Sequence, residues 1–220
     1  MTILIPYKFF PGPELKYCLR GIEKFAPDNE VVIIGDKPKW IKNVTHISFK
    51  DNSDLRWKER NIFEKTLLVK NDFWFFNDDH FLLDRLPNYH YSGTLRELKE
   101  RYNPSNSFRK TLQNTINVFG DIHNYFRHAP IYINRDKLES LINLDWNIPW
   151  SYCVKSAYCF INGIEGEDYP DLKFRTKLSE QKIREAINGR PYFSTGNYAI
   201  HQPMLNVFES LYPNKSKFEC

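Results

Sequence analysis

The chain has 220 residues, which suits one domain of ordinary size with a sizeable hydrophobic core. Hydrophobic residues make up 41% and charged residues 26%, the composition of an ordinary soluble globular protein. The formal net charge of +4 is too small to indicate nucleic-acid binding by itself. It is compatible with an anionic ligand such as a nucleotide diphosphate or a DNA backbone.

Cysteine usage and the N-terminus predict the compartment. The four cysteines form no Cys-x-x-Cys pair, which argues against a zinc knuckle or a thioredoxin-like site. We therefore expect reduced thiols in a cytoplasmic protein, of a bacterium or a phage-infected host. The apolar N-terminal run is interrupted by Pro6 and Lys8, so it does not resemble a signal peptide. No segment approaches the ~18 apolar residues of a membrane helix, and we expect no membrane span.

The first half alternates short apolar runs with amphipathic ones, the pattern of an α/β domain. Residues 3–5, 31–34 and 46–49 read as strands, and a helix opens at Pro13 and Glu14. A second helix is predicted from residue 52 or 53 to about 69. Four aromatics then follow at 73–76 without alternation, which indicates a strand covered on both faces, before an acidic turn and a short apolar run at 81–83.

The second half is predicted to be more helical. Helices are expected at 94–102, 108–119, 135–143, 178–188 and 204–212, and a mobile loop at 160–170. We predict a single Rossmann-like α/β domain with a mixed central sheet and a helical C-terminal half. Residues 1–92 would form a nucleotide-sugar-binding α/β part, and residues 93–220 a mainly helical acceptor-side part.

The strongest local signal is Asn77-Asp78-Asp79-His80, directly after the aromatic strand. Two carboxylates at the end of a buried strand would face the crevice where open α/β sheets bind ligands. Their oxygens suit Mg²⁺ or Mn²⁺ with positions open for a diphosphate. We favour Asp79 as the direct metal ligand and Asp78 as a catalytic contact to the sugar or a water. The alternative is a polar turn without function, since Asn and Asp are common turn formers.

The helix before that strand carries the run 56–61 with Glu64 and Lys65. Arg60 or Asn61 lies about one turn from Lys65, so one face presents several hydrogen-bond donors together. These donors could bind a diphosphate or sugar hydroxyls. The alternative is a solvated face with local ion pairs.

Three segments resemble known transferases. Residues 14–24 resemble the "ELRYSLRSIEK" segment of Stealth-type sugar-phosphate transferases, 31–40 resemble that family's following strand and "P-x-W" turn, and 73–83 resemble its "FLYLNDDFFL" block. Residues 127–130 resemble a later His-x-Pro element. The same elements resemble small GT-A glycosyltransferases, which implies a GT-A-like fold. The Stealth "VYTWVDG" opening is replaced by residues 3–8 here, which puts sugar-1-phosphate transfer in doubt.

The resemblance implies further roles. It places Pro6, Tyr7, Lys8 and Asp36 near the base or ribose of a donor, and His128 near its diphosphate. In several GT-A enzymes a late histidine completes the metal site, and His201 is placed to do so.

Asp121 follows a predicted helix stop and could face the cleft as an inverting base, as could acids at 165, 167 and 168. The stereochemistry of transfer stays open.

Three functions remain open. The first is metal-dependent sugar transfer from a nucleotide sugar to a hydroxyl, either of a hydroxymethylated base in duplex DNA, as in phage base-modifying transferases, or of a glycan. Small size, the mildly basic balance and the basic segment 173–190 favour DNA slightly. The second is transfer of a sugar-1-phosphate in polysaccharide synthesis. The third is a non-catalytic nucleotide- or nucleic-acid-binding module.

Overall fold

A computed structural model describes residues 1–125 and 128–220. Its strands are β1 (Thr2–Tyr7), β2 (Glu30–Gly35), β3 (Thr45–Ile47), β4 (Phe73–Phe75), β5 (His80–Leu82), β6 (His90–Tyr91), β7 (Ile131–Ile133), β8 (Glu167–Asp168), β9 (Lys173–Phe174) and β10 (Tyr192–Thr195). Its α-helices are α1 (Glu14–Phe25), α2 (Lys58–Leu67), α3 (Leu95–Glu100), α4 (Phe108–Phe119), α5 (Arg135–Leu138), α6 (Val154–Ile161), α7 (Glu180–Ile187) and α8 (Gln202–Leu211). Three short 3₁₀ turns lie at Leu55–Trp57, Glu139–Leu141 and Asn197–Ala199.

The central sheet has the strand order β3-β2-β1-β4-β7. Its first four strands are parallel, and β7 runs antiparallel to β4 at one edge. This confirms the expected α/β class with a mixed central sheet and a helical second half. Strand order changes direction between β1 and β4, because the chain adds β2 and β3 on one side and returns to add β4 on the other.

Both faces of the sheet are covered, which explains the nearly continuous apolar strands. Alternate residues of β1 separate between two hydrophobic clusters: Ile3 and Ile5 join one, and Leu4 joins the other. The first cluster includes residues of α1, α7, α8, β5, β9 and β10, and the second cluster includes residues of α2 and α6. The sheet is therefore sandwiched between helical layers.

Two smaller sheets follow the acidic turn. One has the order β5-β10-β9, with β5 antiparallel and β9 parallel to β10, and the other pairs β6 with β8. The apolar run after the acidic turn thus leaves the central sheet and pairs with residues from the end of the chain. The turn at Asp78 and Asp79 consequently lies where the first sheet gives way to the second.

Some predicted elements differ from those observed. The helix predicted from residue 52 or 53 begins at Lys58, because the side chain of Asp54 accepts from Arg56 N and caps a separate 3₁₀ turn. Part of the predicted loop at 160–170 is not loop: α6 runs to Ile161, and β8 pairs with β6. Residues 151–159 are all buried and include the first six residues of α6, so this part of the helix lacks the polar face that sequence periodicity detects.

In the described ranges, 1–125 and 128–220, no helix combines the length and apolar character needed to cross a membrane.

Candidate active site

A cleft lies at the carboxyl ends of β1 and β4. The two strands are neighbours in parallel register, with Leu4 opposite Phe75, and Phe76 N donates to Leu4 O at 2.9 Å. Pro6, one residue before the end of β1, and residues 77–79, just beyond the end of β4, line the cleft. Since strand order reverses between β1 and β4, this is the crevice in which open α/β sheets bind ligands.

The cleft has a volume of about 520 Å³, within the range typical of small-molecule sites. Its walls carry both signs of charge. Five lysines line it: Lys8, Lys58, Lys65, Lys155 and Lys173. Six acids also line it: Glu14, Asp51, Asp54, Glu59, Asp78 and Asp79. Such a lining can bind a phosphorylated ligand and still leave carboxylates for hydroxyl groups or a cation.

Asp78 has a strongly perturbed carboxyl group. Burial, followed by the neighbouring charge of Asp79, raises its pKa to about 7, and Glu14 adds to the effect. Desolvation and like charge both disfavour the carboxylate form. Near neutral pH, Asp78 can therefore accept or donate a hydrogen bond inside the cleft, as expected of a group that holds a hydroxyl or exchanges a proton.

The carboxylate of Asp79 forms an ion pair with a lysine side chain. The ammonium group of Lys173 lies 2.8 Å from Asp79 Oδ2 and also 3.2 Å from Nδ1 of His128. Burial, followed by the charge of Lys173, lowers the pKa of His128 to about 2, so its ring is neutral and Nδ1 accepts from the ammonium. Two potential metal ligands thus converge on a single lysine nitrogen.

Asp79, His80 and His128 each place a possible ligand atom within 4.8 Å of the others, a group that could hold a metal ion. His80 is fully buried, and burial holds its pKa well below the usual value, so its ring is neutral. Its Nδ1 accepts from Asn77 N, which leaves the ring proton on Nε2. Nε2 therefore presents a proton toward Asp79 Oδ1, 4.0 Å away, and has no lone pair for a cation.

The remaining donors fit a divalent cation. Asp79 and His128 offer carboxylate oxygen and an imidazole lone pair, and Oδ1 of Asp79 is buried without a hydrogen-bond partner among the described residues. Asp78 lines the same cleft, but it does not belong to this group of possible ligands. The carboxylate oxygens of Asp79 suit Mg²⁺ or Mn²⁺.

Four acids of the cleft, Glu14, Asp51, Asp54 and Glu59, were not predicted as site residues, and two of them are buried. Glu14, the first residue of α1, is buried, and burial raises its pKa, with Asp79 contributing further. Glu59, in the first turn of α2, is buried too, and neither of its oxygens has a hydrogen-bond partner in the part of the chain that the structure describes. Acids in a first helical turn normally complement the helix dipole in solvent, so the sequence carries no signal that these two face inward.

Five predicted donor-binding residues line the cleft: Pro6, Lys8, Asn61, Lys65 and His128. Two of them are held by neighbours from the segment before α2. The side chain of Asn61 accepts from Asn52 N and donates to Asn52 O, and the ammonium of Lys65 lies 2.8 Å from Asp51. The face of α2 that was predicted to present hydrogen-bond donors is therefore partly engaged in positioning residues 51–52 at the rim of the cleft.

Three other predicted donor-binding residues do not line the cleft. The hydroxyl of Tyr7 donates to Phe10 O, and the carboxylate of Asp36 accepts from Phe9 N. Arg60 pairs with Glu64 and also contacts Asn147. Tyr7 and Asp36 shape the loop that follows β1, whereas the local ion pair at Arg60 is the alternative that the sequence left open.

The structure does not bring His201 or Asp121 to the acidic pair. Both ring nitrogens of His201 lie at hydrogen-bond distance from backbone carbonyls, those of Ala199 and Leu178, at the start of α8. The carboxylate of Asp121 accepts from Thr94 Oγ1 and Arg96 N at the start of α3. Neither residue lines the cleft. Arg127, part of the His-x-Pro resemblance, lies outside the described residues.

No protein-family model matches the chain, and neither does any curated protein. Solved structures similar to it include the galactosyltransferase LgtC in complex with donor and acceptor sugar analogues, at a TM-score of 0.47 and 11% identity over 98% of this chain and 96% of that one. An active-site mutant of LgtC gives a TM-score of 0.48 and 12% identity over 96% and 95%.

A third similar structure is a glycosyltransferase involved in the glycosylation of the major capsid of PBCV-1, at a TM-score of 0.43 and 13% identity over 97% of this chain and 98% of that one. At identities and scores this low, the likenesses assign no function. Any assignment has to come from the chemistry of the cleft.

Proposed function

We propose that this protein is a GT-A-type glycosyltransferase that moves a sugar from a nucleotide-sugar donor to a hydroxyl acceptor. The observation that carries the proposal is the pair Asp78 and Asp79 at the end of β4, where strand order reverses, facing a cleft also lined by five lysines. A nucleotide sugar combines a diphosphate, which lysines bind, with hydroxyls, which buried carboxylates bind. One cleft of about 520 Å³ offers both.

Each part of the cleft has a task in this proposal. Lys8 and Lys58 are exposed at the rim and would attract the diphosphate. Lys155 is buried deeper, where it donates to Ala129 O at 2.8 Å and lies over the ring of Phe75, and it would bind the phosphate that enters furthest. The resulting positive field would stabilise the charge that develops as the nucleoside diphosphate departs.

Asp78 would position the transferred sugar. Because its pKa is raised to about 7, it can hold a sugar hydroxyl either as an acceptor or as a donor near neutral pH. Asp79 and His128 would hold a Mn²⁺ or Mg²⁺ ion beside it. When bound, such an ion supplies Lewis-acid stabilisation of the departing diphosphate.

The proposal also specifies which kind of molecule accepts the sugar. The basic segment 173–190 favours a hydroxymethylated base in duplex DNA slightly over a glycan. Two of its cations are paired in the fold: Lys173 with Asp79, and Arg184 with Glu180. That pairing reduces the charge available to a DNA backbone, so both acceptors belong in the test.

The test is release of nucleotide from a panel of UDP-, GDP-, CMP- and dTDP-sugars in the presence of Mn²⁺ or Mg²⁺. Each donor is assayed alone, with hydroxymethylcytosine-containing duplex DNA, and with glycan acceptors. We expect one nucleotide to be released by the wild type and about a hundredfold less by Asp78→Asn or Asp79→Asn. Asp136→Asn removes an exposed acid of α5 and should retain full activity.

Two results would count against the proposal. If no nucleotide is released from any donor with any acceptor, a non-catalytic binding module becomes a better interpretation than a glycosyltransferase. Equal turnover by the wild type and Asp79→Asn would show that the acidic pair is not the reacting site. Mass spectrometry of the product separates the remaining alternative, because sugar-1-phosphate transfer leaves a phosphodiester and sugar transfer does not.

A further inference from the structure

The ammonium group of Lys173 lies where a cation bound to Asp79 and His128 would lie. It is 2.8 Å from Asp79 Oδ2 and 3.2 Å from His128 Nδ1, so both atoms direct a lone pair at the same nitrogen. A lone pair that accepts a hydrogen bond is not available to a metal ion. A divalent cation that uses these two atoms must therefore displace the ammonium.

The fold holds the backbone of Lys173 in place and leaves its side chain able to move. β9 pairs in parallel with β10, with Lys173 opposite Ser194, and Gly196 N donates to Phe174 O at 2.7 Å. The side chain reaches the cleft through a flexible four-carbon stem. Its ammonium can therefore swing away from Asp79 without disturbing the sheet.

We propose that Lys173 competes with the divalent cation: its ammonium group occupies the site formed by Asp79 and His128 until the phosphates of a donor draw it away. This inference rests on the proposed function for the identity of the donor, but the competition itself does not. The diphosphate carries a higher negative charge than the single carboxylate of Asp79, and Lys173 lines the same cleft. Donor binding would thus exchange one partner of Lys173 for another and expose the metal ligands.

The consequence is an order of binding. Without donor, the site is neutralised by lysine and binds Mn²⁺ weakly. When the donor is bound, Lys173 pairs with its phosphates, and the cation binds to Asp79 and His128. By linkage, if the donor tightens binding of the cation by a given factor, the cation tightens binding of the donor by the same factor.

The experiment measures Mn²⁺ alone binding to the full chain, by isothermal titration calorimetry and by the electron paramagnetic resonance signal of free Mn²⁺. Lys173→Met removes the competing charge and should tighten Mn²⁺ binding about tenfold or more, equivalent to about 1.4 kcal/mol. Lys173→Arg keeps a competing cation and should bind as weakly as the wild type. Lys182→Met, which removes an exposed lysine of α7, is the matched control and should not change the affinity.

Adding Asp79→Asn to Lys173→Met should abolish the gain, because the ligand is removed with the competitor. Circular dichroism checks folding, and Lys173→Gln replaces the methionine variant if the latter unfolds. Equal Mn²⁺ affinity of the wild type and Lys173→Met would overturn the proposal, and so would absence of Mn²⁺ binding in both. Either failure is distinguishable from failure of the proposed function, because nucleotide release in the donor assay is measured independently.

Discussion

Glu59 provides the sharpest quantitative prediction, because it is a fully buried carboxyl group without hydrogen-bond partners among the described residues. Burial raises its pKa from the ordinary 4.5 to about 7, although nearby lysines, Lys58 and Lys155, oppose the shift. Between these two pH values the folded protein binds a proton at Glu59 that the unfolded chain has released. The free energy of unfolding must therefore fall as pH rises from about 4.5 to about 7.

The magnitude follows from the shift. At about 1.4 kcal/mol per pKa unit, ionising Glu59 in the folded state costs about 3 kcal/mol of stability at pH values above the folded pKa. Glu59→Gln keeps the shape of the side chain and cannot ionise. The free energy of unfolding of the variant relative to the wild type should therefore rise by about 3 kcal/mol between about pH 4 and about pH 8.

The assay is urea unfolding of both proteins across this pH range, followed by circular dichroism. Asp78 also has a raised pKa and gives the wild type a similar slope, but it is present in both proteins and cancels in the difference. Glu185→Gln, a change at an exposed position of α7, should give a difference independent of pH. If the Glu59→Gln difference were also flat with pH, the carboxyl group would not be buried and unpartnered as described.

Three further variants test the fold around the site. Arg20→Met leaves the buried carboxylate of Glu219, 2.8 Å from the arginine, without its cationic partner and should cost about 3 kcal/mol in urea unfolding, with partial recovery in the double variant with Glu219→Gln. Gly35→Ala should cost about 2 kcal/mol or more and lower the thermal midpoint, because φ is +121° and a Cβ would lie 2.1 Å from Tyr7 O. Phe73→Ala, at a fully buried position of β4, should cost about 4 kcal/mol in the same urea assay, and a loss under about 1 kcal/mol would contradict the core described.

Much of the fold could be predicted from local patterns. The alternating elements of the first half occur in the expected order, and the helix predicted at 108–119 is observed as Phe108–Phe119. The aromatic run at 73–76 contains β4 (Phe73–Phe75), in which Phe73 and Phe75 are buried and Trp74 is half-buried, consistent with its lack of alternation. Hydrophobic patterns predict an element correctly when it has one buried and one exposed face, which gives periodicity, or when it is a short strand buried on both faces, which gives a continuous apolar run.

Local patterns failed where pairing between distant segments decides the structure. β7 is three residues long and exists because it pairs antiparallel with β4 at the sheet edge. β10 pairs with β9 and also with β5, so its strand character depends in part on a partner about a hundred residues away. The first six residues of α6, 154–159, are all buried, so this part of the helix has no polar face to reveal it.

The sequence by itself determined that a largely buried strand ends shortly before Asp78 and Asp79, because a run of aromatics followed by polar and acidic residues marks a strand that gives way to a turn. Only the tertiary structure decided which charges meet them. Lys173 lies 94 residues from Asp79 along the chain, and a lysine in a two-residue strand carries no local signal. The same holds for His201, whose ring is turned to backbone carbonyls instead of the acids. Strand ends follow from local hydrophobic pattern, whereas the partners of a charge depend on how distant elements pack, which no local pattern encodes.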